Sequence, residues 1–116
     1  MRVWTTAVVV GREADYLKFA QERSALMFLS QPGCLGVLFL KGVDEKHAVC
    51  SFWKSDADIA LLEISSTYRS TVSDLLSTGI LAGEATVQLY DVEGGVLQSF
   101  DFSTALERKK SKSRLR

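Results

Sequence analysis

The residues best suited to bind and act on a small molecule are three aromatics and one arginine: Trp53, Trp4, Tyr68 and Arg69. Trp53 ends an apolar, strand-like run just before a helix start, and an indole in that place can stack on a flat ligand and donate one hydrogen bond. Trp4 and Tyr68 could complete an aromatic pocket, to which Arg69 would add a cation suited to a carboxylate or a phenolate. Core packing of the aromatics and a surface charge at Arg69 are the alternatives, and for each residue taken alone the alternative is more common.

The other reactive residue types do not form a recognisable site. His47 is the single histidine, so no metal site is predicted; it stands beside a polar turn and is expected to be exposed, with a general-base role as the alternative. Cys34 and Cys50 lack metal-type spacing and lie near opposite ends of a hairpin that turns at about residues 42–45, which favours free buried thiols over a disulfide. No Ser-His-Asp order, phosphate-binding loop or paired-carboxylate motif stands out.

These candidates must be positioned by elements that follow the order β-α-β-β-α-β. Residues 79–83 are interpreted as the connection from the second helical region to the last strand. The order is the split βαβ arrangement of a ferredoxin-like α+β domain, in which two helices cover one face of a four-stranded antiparallel sheet. The apolar patterns predict strands at residues 2–10, 34–41, 46–53 and 84–92, an amphipathic helix at 13–29, and a second helical region from residue 55 until Gly79 ends it.

Polar residues divide the second helical region. Ser55 is predicted to be the N-cap of its first part, with Asp58 three residues later as in a capping box. The run at 65–67 is expected to break or re-cap the helix before apolar residues resume at Tyr68. Two consecutive helices are therefore expected where the simple topology has one.

Both faces of the first two strands are apolar, notably at residues 7–10 and 35–40. A sheet with one face in water should instead alternate apolar and polar residues. Because the two helices cover only one face, the other needs a second cover, and the same face of another copy would supply it through an isologous contact. The sequence therefore predicts a homodimer formed through the sheet face.

Three short motifs stand at the expected places in this topology. They are QPGCLG at 31–36 between the first helix and the second strand, FWKS at 52–55, and STYR at 66–69, with LYDV at 89–92 in the last strand. Through these motifs the chain resembles the antibiotic biosynthesis monooxygenase family of the dimeric α/β-barrel group. The resemblance covers about residues 2–92 and is specific to the fold.

The resemblance implies a small homodimeric enzyme, free of metal and of any other cofactor, that holds a flat aromatic or quinol substrate between its helices and its sheet. Trp53 and Arg69 would be the catalytic residues, with Arg69 stabilising developing negative charge. Trp4 and Tyr68 would bind the ligand. Oxygen chemistry would then depend on the electron-rich anion of the substrate itself.

A catalytically inert homodimeric module that binds a ligand or another protein is the alternative function. In the quinone-forming branch of the family, the tryptophan works with an asparagine four residues earlier and a tyrosine six residues later. This chain has Val49 and Ile59 at those positions, and these replacements favour the alternative.

Charge and composition divide the chain into an acidic body and a basic tail. The last nine of its 116 residues hold six Lys and Arg; the remaining eight stand against fourteen Asp and Glu, a formal charge of −6 for residues 1–107. Such a body repels phosphate backbones, so nucleic-acid binding is not expected unless the tail attracts RNA weakly.

No apolar stretch approaches the ~20 residues of a membrane helix, and a cytoplasmic protein is predicted. The predicted parts are a ferredoxin-fold domain at 1–95, an extra strand or dimer arm at 96–106, and a disordered basic tail at 107–116.

Overall fold

Four strands form one antiparallel sheet in the computed structural model, which describes residues 1–98. The spatial order is β2-β3-β1-β4, which places β3 and β1 in the centre and leaves β2 and β4 at the edges. The predicted α+β, ferredoxin-like fold is confirmed. The strands are β1 (Arg2–Val8), β2 (Cys34–Lys41), β3 (His47–Trp53) and β4 (Leu81–Leu89).

Two helical regions pack on one face of this sheet, and neither is a single regular α-helix. The first is continuous from residue 13 to residue 29 but contains a π-helical segment, and the second is divided in two. Nothing in the chain between residues 90 and 98 is helix or strand. The helices are α1 (Glu13–Phe19), the π-helical segment (Ala20–Ser24), α2 (Ala25–Leu29), α3 (Asp56–Ile64) and α4 (Ser66–Ser77).

Serine caps delimit α3 and α4 as the sequence predicted. The Ser55 hydroxyl accepts a hydrogen bond from the backbone N–H of Asp58 at 3.3 Å. Ser65 has extended backbone angles of φ −67° and ψ 127°, and its hydroxyl accepts from the backbone N–H of Tyr68 at 3.3 Å. Because one residue both ends α3 and caps α4, the chain changes direction there and Tyr68 comes to lie in the first turn of α4.

The π-helical segment was not predicted, and it changes which residues face the core. The buried positions Tyr16, Ala20, Ser24 and Phe28 recur every four residues. In an α-helix of about 3.6 residues per turn such a row drifts around the axis, whereas a wider π turn keeps it on one face. Leu26, an apolar residue of the predicted amphipathic helix, is 67% exposed because the wider turn rotates it outward.

The last strand begins earlier than the sequence predicted. Leu81 and Ala82 pair with Val8 and Ala7 of β1, and the register then shifts before Thr86 pairs with Thr5. Gly83, with φ at +79°, lies in this irregular stretch, where glycine adopts the backbone of a β-bulge without strain. The interpretation of residues 79–83 as a connection was therefore wrong for 81–83.

The hairpin between β2 and β3 keeps the two cysteines apart. Its turn is closed by a hydrogen bond from the backbone N–H of Gly42 to the carbonyl of Lys46 at 2.7 Å. In the resulting register Cys34 lies opposite Trp53, and Cys50 lies opposite Leu38. Both thiols are free, as predicted, but only Cys50 is buried, and Cys34 is half-buried.

The main core lies between the sheet and the helices. The opposite face of the sheet carries the row Val3, Cys50 and Leu38, which are cross-strand neighbours, and no helix among residues 1–98 covers it. Within residues 1–98, no helix is long and apolar enough to cross a membrane. The predicted extra strand at 96–106 extends beyond the described residues, and the tail at 107–116 lies outside them. The core residues are Met27, Phe28, Val49, Trp53, Ile59 and Leu62.

Candidate functional site

A small cavity lies inside the layer between the sheet and the helices. The volume that the centres of water molecules can occupy in it is about 30 Å³. This is space for about two waters. Its walls are mostly aromatic and aliphatic, and its one charged side chain among the described residues is Arg2. Its lining includes Arg2 and Trp4 from β1, Phe39 from β2, Val49 from β3, Tyr16 and Met27 from the first helical region, and Tyr68 and Thr71 from α4.

Arg2 is the residue at this site that sequence reasoning missed. It is 1% exposed, although a charged side chain is rarely buried so completely unless it is paired. Its Nε atom donates to Oε1 of Glu63 at 2.9 Å, and its Nη2 atom donates to the Tyr68 hydroxyl at 2.7 Å. The only sequence signal was its position two residues before Trp4 in a strand, which places both side chains on the same face.

The structure brings Trp4 and Tyr68 together with Arg2 around the cavity. Trp4 lies opposite Val49 of β3, and both side chains face the helices. The Tyr68 ring is tilted against the ring of Phe28, with 6.3 Å between their centroids. The two residues predicted to bind a ligand therefore do line one cavity.

Trp53 and Arg69, the two residues predicted to be catalytic, do not line this cavity. Trp53 is buried in the core, where its indole N–H donates to the Ser51 hydroxyl at 2.8 Å. Arg69 is exposed, and its Nε atom donates to the backbone carbonyl of Glu63 at 3.2 Å. Trp53 therefore lies in the core and Arg69 on the surface, and neither lines the cavity.

Both of these side chains are nevertheless linked to Arg2. The Ser51 hydroxyl, which accepts from Trp53, donates to the backbone carbonyl of Arg2 at 3.4 Å. Arg69 holds the backbone of Glu63, and the carboxylate of Glu63 pairs with the Arg2 guanidinium. Two separate hydrogen-bonded chains therefore converge on Arg2, one at its backbone and one at its side chain.

A second polar pair, Tyr16 and His47, lies on the same side of the sheet. Burial raises the pKa of Tyr16 to about 12. His47 was expected to be exposed, but it is only 8% exposed because its ring packs edge-on against Tyr16, with the centroids 4.9 Å apart. Burial lowers the pKa of His47 below its usual 6.5, and Lys41 lowers it further, against opposing effects of Glu13 and Glu45.

A wide surface groove adjoins the cavity. It lies between the first helical region and α4, with a volume of about 600 Å³ on the same measure. Met27 and Thr71 line both spaces, so they form part of the wall between them. Beside this groove, Arg23 of the π-helical segment forms an ion pair of 2.7 Å with Asp74 of α4.

The described residues hold no group of three or more His, Cys, Asp and Glu side chains that could bind a metal ion. The polar side chains that line the cavity are the paired guanidinium of Arg2, the phenols of Tyr16 and Tyr68, and the hydroxyls of Ser24 and Thr71. This arrangement can hold a flat apolar ring and hydrogen-bond to an atom at its edge.

Comparison with known proteins finds similarity at the level of structure. No family model matches the sequence, and no curated protein matches it. A variant of SnoaB, a cofactor-independent oxygenase from Streptomyces nogalater, superposes with a TM-score of 0.65 at 15% identity, covering 84% of this chain and 95% of that one. A Nitrosomonas europaea structure described as a candidate antibiotic biosynthesis monooxygenase gives 0.66 at 12% identity, covering 79% and 88%.

A third structure, described in the same way and from Caulobacter crescentus, gives a TM-score of 0.65 at 18% identity and covers 79% of this chain and 88% of that one. Identities this low establish a common fold and leave the activity open. The expectation drawn from the three sequence motifs is confirmed at that level: the chain has the ferredoxin-like fold of the antibiotic biosynthesis monooxygenase-type structures.

Proposed function

We propose that this protein is a monooxygenase-like enzyme that binds a small aromatic or quinol substrate in the cavity between sheet and helices and acts without a cofactor. The observation that carries the proposal is the composition of the cavity: aromatic walls around the buried Arg2 and the half-buried Tyr68 to which it donates a hydrogen bond. An apolar pocket with a few convergent polar groups is the usual form of a small-molecule site. The fold shared with a cofactor-independent oxygenase gives further support.

In this proposal, one set of side chains contacts the aromatic ring of the substrate and another hydrogen-bonds to its oxygen. Trp4 and Phe39 flank the ring, because both line the cavity from the sheet. The pair of Arg2 and Tyr68 lies where an oxygen at the edge of the ring would meet a hydrogen-bond donor. In this proposal Trp53 and Arg69 act through Arg2, the first by way of Ser51 and the second by way of Glu63.

The size of the cavity requires it to open when a substrate binds. A space of about 30 Å³ is too small for a fused aromatic ring system, while the adjoining groove has about 600 Å³. Met27 lies between them, and methionine adapts its shape more readily than other core residues. We therefore place the entry of the substrate at the groove, with displacement of Met27.

The functional form in this proposal is a homodimer joined through the uncovered face of the sheet. Val3, Leu38 and Phe52 lie on that face, together with Leu40, whose side chain is 47% exposed. An apolar sheet face of this kind is favourable only when it is covered, and an identical face is a self-complementary cover.

Oxygen consumption with a panel of anthrones and hydroquinones tests the activity. The wild-type protein is expected to accelerate oxygen uptake with at least one of them, and Trp4→Leu to reduce the rate at least about tenfold by removing one wall of the site. Leu61→Ala, on the outer surface of α3, is the control and should keep the wild-type rate. Absence of uptake with every compound, or equal rates for wild type and Trp4→Leu, would contradict the proposed enzyme.

A catalytically inert ligand-binding module is the second candidate, and the small cavity favours it. Val49 and Ile59 stand at positions where the quinone-forming enzymes have polar residues, and both are buried among apolar side chains. Calorimetric binding of an aromatic ligand without any oxygen uptake would favour this candidate over the enzyme.

A further inference from the structure

The hydrogen bond between Arg2 and Tyr68 fixes the direction of the tyrosine hydroxyl. A guanidinium carries only donors, so the oxygen of Tyr68 must be the acceptor in the 2.7 Å contact. The hydrogen of the Tyr68 hydroxyl therefore points elsewhere. Within residues 1–98 the contact with Arg2 is the only hydrogen bond made by this hydroxyl.

The same contact makes the hydroxyl a stronger donor. A hydroxyl that accepts a hydrogen bond from a cation is polarised, and its own hydrogen is donated more strongly in a site of low dielectric. The side chain of Arg2 is 2% exposed and Tyr68 is half-buried, so water screens this effect less than it would at the surface. The rest of the cavity wall near Tyr68 is mostly apolar and includes Phe28, Val72 and Leu75. The hydroxyl of Thr71, which also lines the cavity, donates to the backbone carbonyl of Thr67 at 2.8 Å.

From these observations we propose that the Tyr68 hydroxyl is the donor that recognises one oxygen atom of the ligand, and that Arg2 is the positioning residue that holds it as a donor. The ligand class is a flat aromatic ring bearing a single carbonyl oxygen. This inference rests on the proposed function, since it names the ligand of the same cavity.

The charge balance selects a carbonyl over a carboxylate. Arg2 is already paired with Glu63 at 2.9 Å, so the pair adds no net charge to the site. A carboxylate would therefore bring an unpaired negative charge into an apolar cavity, which is costly. A carbonyl needs one donor, and Tyr68 supplies one.

Two further contacts hold Arg2 in the position that this role requires. Its backbone carbonyl accepts a hydrogen bond from the Ser51 hydroxyl, which in turn accepts one from the indole N–H of Trp53. Its side chain donates to the carboxylate of Glu63, and the backbone carbonyl of Glu63 accepts a hydrogen bond from Arg69. Because Arg2 is held at its backbone and at its side chain, its Nη2 atom stays directed at the Tyr68 hydroxyl.

Three small bicyclic probes of similar shape test the inference by calorimetry on the full chain: 1-indanone, which has the carbonyl, indane, which lacks it, and indane-1-carboxylate. The wild-type protein is expected to bind 1-indanone at least about fivefold more tightly than indane, the gain from one net hydrogen bond. It is expected to bind the carboxylate more weakly than 1-indanone. Tyr68→Phe should abolish the preference for 1-indanone while indane still binds.

Matched variants separate the roles of the neighbouring groups. Tyr16→Phe makes the same chemical change at the other cavity tyrosine and should leave the ratio of the two affinities unchanged. Arg2→Met should lower the ratio, because the freed Tyr68 hydroxyl can turn its hydrogen away, and Arg2→Lys should restore part of it. A structural role for Arg2 would change both affinities together and leave the ratio as it was.

The possible results distinguish this inference from the proposed function. Equal binding of 1-indanone and indane by the wild type would overturn the inference and leave an aromatic-binding cavity in place. A preference that survives Tyr68→Phe, or is lost in Tyr16→Phe, would also overturn it. Failure of all three probes to bind would overturn the ligand cavity itself, and the inference with it.

Discussion

Trp53 donates its indole N–H to the hydroxyl of Ser51 at 2.8 Å, and this bond lies wholly in the core. The two residues are two positions apart in β3, so their side chains are on the same face of the sheet. The hydroxyl of Ser51, a residue that is 0% exposed, donates in turn to the backbone carbonyl of Arg2 in the neighbouring strand. The tryptophan expected to touch a substrate instead fixes the strand that carries the buried arginine.

This bond predicts a less than additive effect of two substitutions. Trp53→Phe removes the donor, and Ser51→Ala leaves the indole N–H buried without a partner, so each should lower the free energy of unfolding by about 1–3 kcal/mol. The double variant should lose less than the sum, since the second change removes a group that the first has already left unpaired. Urea unfolding at one protein concentration measures all three. Strict additivity would show that the bond contributes nothing.

The ion pair of Arg2 and Glu63 predicts an asymmetry between its partners. Glu63→Ala leaves the buried guanidinium without its counter-charge and should cost on the order of 3 kcal/mol. Arg2→Met should cost about 1 kcal/mol, because the carboxylate it leaves behind is 47% exposed and can be hydrated. Urea unfolding of the two variants, side by side, is the measurement. A larger loss for Arg2→Met than for Glu63→Ala would contradict the burial assigned to Arg2.

A matched pair of leucines tests the proposed dimer. Leu40 lies on the uncovered face of the sheet and Leu61 on the outside of α3, and their exposures are 47% and 49%. Leu40→Glu places charges against each other across the interface and should give a monomer of 12.8 kDa in sedimentation. Leu61→Glu should sediment as the wild type does. A wild-type protein that is monomeric at micromolar concentration would refute the dimer directly.

His47 predicts that stability decreases as the pH falls. Burial and Lys41 hold its folded-state pKa below 6.5, so the unfolded chain binds a proton first as the pH drops. The stability that the neutral ring provides is complete above the unfolded pKa, decreases below about 6.5, and levels off once the pH is below the folded pKa. Subtracting the unfolding free energies of His47→Asn from those of the wild type between pH 5 and 8 isolates this effect from Glu13 and Glu45. A flat difference would show that His47 titrates alike in both states.

Met27 predicts how the cavity and the groove are connected. Met27→Ala should lower the free energy of unfolding by about 2–4 kcal/mol, because it removes a buried side chain, and should join the two spaces. The association rate of 1-indanone should then rise, since the wall no longer has to move. Leu26→Ala, at a position that is 67% exposed on the same groove, should change stability by no more than about 0.5 kcal/mol and leave the rate unchanged. An association rate unaffected by Met27→Ala would place the entry elsewhere.

Features that depend on near neighbours in the chain could be predicted from the sequence. The caps at Ser55 and Ser65 require only a hydroxyl within three residues of a free backbone N–H, so the break between α3 and α4 was predictable. The hairpin register that separates Cys34 from Cys50 followed from the place of the turn. Gly83 was misinterpreted because a glycine in a bulge and a glycine in a connection have the same local signal, and only pairing with β1 distinguishes them.

The sequence by itself determined the order of the elements and the ferredoxin-like fold, and it identified two of the aromatic residues that line the cavity, Trp4 and Tyr68. Those features depend on periodicity and on motifs within short stretches of chain. The tertiary structure alone decided that Arg2 is buried, that Trp53 lies behind it, and that Arg69 contacts Glu63 rather than the cavity. The contacts of Arg2 with Ser51, Glu63 and Tyr68 join residues 49 to 66 positions apart, and a pattern within a short stretch of sequence does not identify which distant residue will pair with a buried charge.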